Sequence, residues 1–184
     1  VANGLDRWLL RRIERSSGYV RARYLSVLAC LPPAADVVGR VARYEHGRNR
    51  MVRFYAMMVR VAWDPSHALK ALADWPEPLA GFEISEIISM LRRGLFPVAY
   101  GPLLESNNRN LRVIGLNIVR QFGIVEAERA LLKIIDSDSD CKLCYEAIYT
   151  LASMHCQITR REIVRRVWAM SHDDRKALCR RLAL

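Results

Sequence analysis

What this chain has little of narrows its class before any motif is read. Glycine and proline are scarce, 9 and 7 in 184 residues, and they fall between periodic segments, as helix punctuation does. No apolar run approaches the roughly 18 residues that a membrane helix needs, and no signal segment is visible. The five cysteines, Cys30, Cys141, Cys144, Cys156 and Cys179, are an odd set lying mostly within helical apolar patterns. That excludes a disulfide framework and points to a reducing compartment. The four histidines, His46, His67, His155 and His172, are scattered over different segments and match no acid–base or nucleophile motif. There is no nucleophile elbow, no glycine-rich phosphate loop and no paired metal-ligand motif. No segment reads as a strand. What is present, 52% hydrophobic and 26% charged, is the composition of a folded helical domain.

Charge is plentiful but unevenly placed. The net charge is +10, with 25 arginines against 4 lysines. Residues 1–60 hold 12 arginines and 4 acids, a net of +8. Residues 61–156 carry −3, and residues 157–184 carry +5. A groove following a phosphate backbone would be positive along its whole length. Two basic ends instead suit separate acidic contacts, such as anionic lipid and a protein.

The strongest positive signal is a helical phrase that returns about every thirty residues. Val20-Arg21-Ala22-Arg23-Tyr24-Leu25, Val52-Arg53-Phe54-Tyr55-Ala56-Met57, Leu111-Arg112-Val113-Ile114-Gly115-Leu116 and Leu143-Cys144-Tyr145-Glu146-Ala147-Ile148 are its copies. The marker positions 21, 53, 112 and 144 are separated by 32, 59 and 32 residues, which predicts a degenerate copy near Glu83. A period of this size built from helices means stacked helix pairs.

Turn signals divide the chain accordingly. Residues 5–16 read as an amphipathic helix with Leu5, Trp8, Leu9 and Ile13 on one side and Arg7, Arg11, Arg12 and Arg15 largely off it. Ser17-Gly18, Pro32-Pro33 and His46-Gly47 break the chain next. Asp64-Pro65 predicts a helix start. Pro76-Glu77-Pro78 forbids helix, and Gly94 predicts a left-handed cap. Asn107-Asn108 opens a helix that Gly123 ends. Asp136-Ser137-Asp138-Ser139-Asp140 predicts a capping turn. Thr159-Arg160-Arg161-Glu162 matches a capping box, and Ser171 predicts the start of a last helix.

The apolar-arginine-x-x-small-x phrase resembles the HEAT repeat, in the short bacterial HEAT-like form of the phycobilin lyases. The resemblance spans residues 18–170 and is clearest at Asn107–Ile135. It implies an all-α right-handed superhelix, a solenoid of about five helix pairs and about ten helices, following a basic N-terminal helix at residues 1–17. In such repeats the arginine is structural, here Arg53 and Arg112, and the small residue lets paired helices approach, here Ala56, Gly115 and Ala147. Cys144 departs from the pattern. The second helix of each pair usually lines the concave face, so its polar positions are the candidate contacts.

Each candidate chemistry has a plainer rival. Cys141-Lys142-Leu143-Cys144 has thiol-exchange or zinc spacing. His155-Cys156 would complete a ligand set, but residues 144 and 155 on one helix lie about 16 Å apart. A partly buried repeat residue and its neighbour is the reading preferred. The Asp136–Asp140 run lacks the sixth-position glycine and twelfth-position glutamate of a calcium loop, having Cys141 and Ala147 there. Trp8, Trp63, Trp75 and Trp168 are read as packing between repeats rather than as base-stacking platforms.

The expectation is therefore a non-enzymatic protein–protein interaction scaffold without metal or cofactor. Its candidate interaction surface is Arg40, Arg43, Arg160, Arg161, Arg165 and Arg166, facing a protein partner with an acidic surface. Arg7, Arg11, Arg12 and Arg15 are candidate membrane-facing residues, on a domain expected in the cytoplasm and tethered by a segment upstream of Val1. Nucleic acid and small molecules are weaker partners. One alternative is a nucleic-acid protein like the alkylpurine DNA glycosylases with HEAT-like repeats. It would use Asp74 and Trp75, and the acidic middle of the chain opposes it. Another is a prosthetic-group lyase or chaperone, which the resemblance allows but no residue specifically supports.

Overall fold

The computed structural model describes residues 4–33, 35–64, 68–93 and 99–183, the side chains of residues 35 and 36 excepted. Val1, Pro65, His67, Gly94 and Pro97, on which several expectations bear, lie outside them. The regular structure among the described residues is all helical, with no strand. No helix among them is long and apolar enough to cross a membrane. The chain divides into two compact units, Val1–Val98 and Ala99–Leu184.

The first unit contains α1 (Leu5–Arg15), α2 (Gly18–Leu28), α3 (Ala35–Ala42), α4 (Arg50–Trp63), α5 (Ala68–Ala73) and α6 (Gly81–Arg92). Helix α4 is its centre, packing against α2, α3, α5 and α6, while α1 packs on α2 and α3. Leu9, Leu10 and Ile13 of α1 meet Leu25 and Leu28 of α2 and Val52, Ala56 and Val59 of α4 in one core. Phe54 is fully buried, with Tyr55, Trp75 and Phe82 edge-on around it. Helix α6 covers Glu83, the region where the spacing predicts a degenerate copy.

Helix α1 differs from its predicted face. Its buried stripe is Asp6, Leu9, Leu10 and Ile13, and Leu5 and Trp8 lie outside it, 45% and 42% exposed. Leucines at both 9 and 10 pull the stripe about one residue-step, roughly 100°, from a face centred on Trp8.

The second unit contains α7 (Tyr100–Glu105), α8 (Arg109–Phe122), a 3-10 turn (Val125–Ala127), α9 (Glu128–Ser137), α10 (Cys141–Ser153), α11 (Arg161–Ala169) and α12 (His172–Leu182). Here α8 packs on α7 and α10, α10 on α9 and α12, and α9 on α11. Contact from two sides buries every residue of α8 from Val113 to Val119. Phe122, at the end of the helix, is exposed. The approach of α7 to α8 depends on Gly115: a Cβ there would stand 3.0 Å from the Leu103 Cβ and 3.1 Å from Leu104 Cδ2. Ala56 and Ala147, the other small repeat positions, are fully buried.

The helix starts follow short polar side chains. Asn49, Asn108, Asp140 and Ser171 each accept from backbone amides of the helix they open. The Thr159 capping box does not form. Helix α11 starts one residue later, at an N-cap Arg160 with no side-chain cap bond, and the Thr159 hydroxyl accepts from Gln157 Nε2. Twelve α-helices rather than about ten appear among the described residues, because the irregular middle still forms short helices.

Candidate interaction surfaces

The repeat position is built from the N-cap outward. Ser17, Asn49, Asn108 and Asp140 lie four residues before Arg21, Arg53, Arg112 and Cys144. One helical turn beyond the cap, each arginine side chain turns back over the inter-helix loops. Arg21 donates from Nε to the Ile13 carbonyl at 3.0 Å and from Nη2 to the Ser16 carbonyl, and stacks on Tyr44. Arg53 donates to the Gly47 and Arg48 carbonyls at 3.1 and 3.3 Å, pairs with Glu77 at 2.6 Å, and stacks on Trp75. Arg112 pairs with Asp138. Ser171 stands four residues before Arg175, which stacks on Trp168. That is the same cap-to-arginine interval, which the sequence reading missed because α12 carries few apolar residues.

Helix α6 differs. Glu83 is wholly buried and accepts from Arg50 Nε at 2.9 Å, Arg50 Nη2 at 2.7 Å and the Ala80 amide at 2.7 Å.

Most of the arginines predicted to face a partner are engaged inside the chain. Arg40 and Arg43 both hold Glu14, at 2.5 and 3.0 Å. Arg160 holds Glu128 at 2.5 Å, and Arg165 holds Asp136 at 2.8 Å. Arg166 donates to the Asp138 carbonyl and lies 3.4 Å from Cys144 Sγ. Only Arg161 of the six is exposed with no partner among the described residues. Arg7, Arg11, Arg12 and Arg15 are all exposed on α1. Arg120 and Arg181 grip Glu146 from either side at 3.1 and 2.6 Å, tying α8 and α12 to α10.

The cysteines separate. Cys141 is exposed, whereas Cys144 is buried among the Ile134, Ile135 and Asp138 carbonyls. Burial pushes the Cys144 thiol up, against the opposing pull of Arg166. Among the described residues no group of three or more His, Cys, Asp or Glu side chains is placed to hold a metal. Trp75 is buried, and Trp63 is half-buried with its Nε1 donating to the Leu31 carbonyl at 2.8 Å. Those two fit the packing expectation. Trp8 and Trp168, 42% and 71% exposed, do not.

The second unit also carries a groove of about 1110 Å³ where α7, the start of α8 and α9 diverge. Leu104 and Ile134 are among its apolar lining residues. Arg129 and Lys133, four residues apart on α9, lie along it with Glu105 and Glu126, and none of the four makes an ion pair among the described residues. Ser106, Asn107 and Ser139 add hydrogen-bonding groups. Arg112 lines it too, with its Nε buried and lacking a hydrogen-bond partner among the described residues. No protein-family model matches this chain, and no curated protein or solved structure matches it.

Proposed function

We propose that the chain is a non-enzymatic scaffold of stacked HEAT-like helix pairs, wound as a right-handed superhelix, that holds an acidic segment of a protein partner. The observation that carries the reading is the groove beside α9. It combines apolar lining, hydrogen-bonding groups and two basic side chains that make no ion pair among the described residues, although Glu105 and Glu126 also line it. Within α9, Arg129 and Lys133 share one helical face, so one extended segment with spaced carboxylates meets both. The groove lies on the second helix of a pair, the position from which such repeats usually make contacts.

Support for stacked pairs comes from helices that pack on the next helix but one, as α2 on α4, α8 on α10 and α9 on α11. The fixed interval from N-cap to marker residue supports it again. The five free cysteines favour a reducing compartment such as the cytoplasm.

The test is affinity capture from the native cell by the wild-type chain and by an Arg129→Glu/Lys133→Glu variant, with the bound proteins identified by mass spectrometry. The scaffold reading expects a defined protein that the variant loses while keeping its helical circular dichroism. Equal recovery by both would remove the groove from the account.

A further inference from the structure

We infer that the outward face of α1 is a peripheral docking surface for anionic lipid headgroups. It lies in the other unit and is independent of the groove. Because the core takes Leu9, Leu10 and Ile13, the opposite side of the helix presents Leu5, Trp8, Arg11, Arg12 and Arg15 together, all exposed. Trp8, Arg11, Arg12 and Arg15 line a common recess. Trp8 meets Tyr24 of α2 edge-on at 6.2 Å. At helical spacing around Tyr24, α2 adds exposed Val20, Arg23 and Val27.

Among the described residues no acid pairs with Arg11, Arg12 or Arg15. Asp6 is buried on the far side of α1, and Glu14 is held by Arg40 of α3 and by Arg43 just after it. The surface therefore asks for an anion, and its aromatic and aliphatic members ask for an apolar layer just beneath that anion. The bilayer interface supplies both. Tryptophan settles at headgroup depth, and arginine stems lie along apolar material with their heads at phosphate.

A nucleic acid fits less well. The Arg12 guanidinium already lies over the Trp8 ring, 5.2 Å from its centroid, and Tyr24 meets its edge. The indole is thus not an open platform for a base.

The experiment is co-sedimentation of the full chain with vesicles of phosphatidylcholine alone or mixed with phosphatidylserine, at low and high salt. Binding is expected only to the phosphatidylserine vesicles and is lost at high salt. Arg11→Gln/Arg12→Gln/Arg15→Gln should weaken it at least about tenfold. Trp8→Ala should weaken it too, with unchanged helical circular dichroism in both variants. Arg129→Gln/Lys133→Gln, in the other unit, should bind vesicles like wild type. No sedimentation with phosphatidylserine vesicles at low salt would overturn the inference. So would equal loss with the Arg129/Lys133 variant. So would tighter binding of a short DNA duplex that depends on the same three arginines.

Discussion

Arg166 occupies, from a neighbouring helix, the place that Cys144 leaves empty. At the repeat marker, Arg53 donates to the carbonyl of Gly47, six residues earlier in the preceding loop. Six residues before Cys144 stands Asp138, and its carbonyl accepts from Arg166 of α11, whose guanidinium lies 3.4 Å from the Cys144 sulfur. The Asp138 carbonyl thus has a guanidinium donor although residue 144 is a cysteine. Arg166→Ala should therefore cost about 1–2 kcal/mol. Cys144→Arg alone should also destabilise, since two guanidinium groups would compete for one half-buried carbonyl. Combined, the two substitutions should cost less than their sum by at least about 0.5 kcal/mol. Urea denaturation of all four proteins gives the coupling, and strict additivity would show that Arg166 is not the replacement.

Gly115 sets the distance between α7 and α8. A Cβ there meets the Leu103 Cβ and the Leu104 amide nitrogen, which stands 3.3 Å away, and neither can swing aside. Gly115→Leu should overpack the crossing by roughly 1–3 kcal/mol, and Gly115→Ala should cost less. An unchanged melting temperature for both would mean that the helices separate freely.

His155 holds a conformation that glycine suits better. It closes α10 at φ 58°, with the Cys156 amide donating to the Leu151 carbonyl. In the same unit Gly123 ends α8 at φ 62°, with the Ile124 amide donating to the Val119 carbonyl. These are equivalent caps, one with the penalty of a side chain in the left-handed region. His155→Gly should stabilise the protein by about 0.5–1 kcal/mol, and Gly123→His should destabilise it by a similar amount. A loss of stability with His155→Gly would mean that the imidazole makes a compensating contact.

Asp140 gives the protein an acid-sensitive joint. Burial alone would push its carboxyl up. The Arg109 guanidinium at 2.8 Å and the amides of Lys142 and Leu143 outweigh that and hold it below the usual carboxylate range. A depressed folded-state value means that its contribution is present above the ordinary value of 3.8 and is lost as pH falls through the depressed one. Asp140→Ala should cost about 1 kcal/mol at neutral pH. Asp140→Asn keeps a cap acceptor and should flatten the stability curve below about pH 4. Melting temperatures from neutral to strongly acid pH read both effects. An unaltered acid limb in Asp140→Asn would place the sensitivity on another carboxylate.

Local chemistry was legible where one element decided it. Asn108, Gly115 and Gly123 gave the start, close packing and end of α8, and Ser171 gave the start of α12. The outward position of Trp8 was not legible, because adjacent apolar residues on a short helix allow two stripes about 100° apart. Nor were the partners of Arg40, Arg160 and Arg165, whose acids lie 26 to 32 residues away and are set by packing. The interval at Arg175 had a readable signal in its cap spacing, hidden by a polar α12. The groove had no local signal, since it depends on how α7 and α9 diverge.

The account turns on what the groove beside α9 holds, and a photo-crosslinking amino acid in place of Ala130, inside it, reads that directly in the native cell. The same group at Glu162, exposed on α11, is the control. The account predicts a discrete protein adduct from position 130 that is absent from position 162, mapping to an acidic segment of the partner and lost with Arg129→Glu/Lys133→Glu. The same adducts from both positions, or none but nucleic acid at 130, would contradict it.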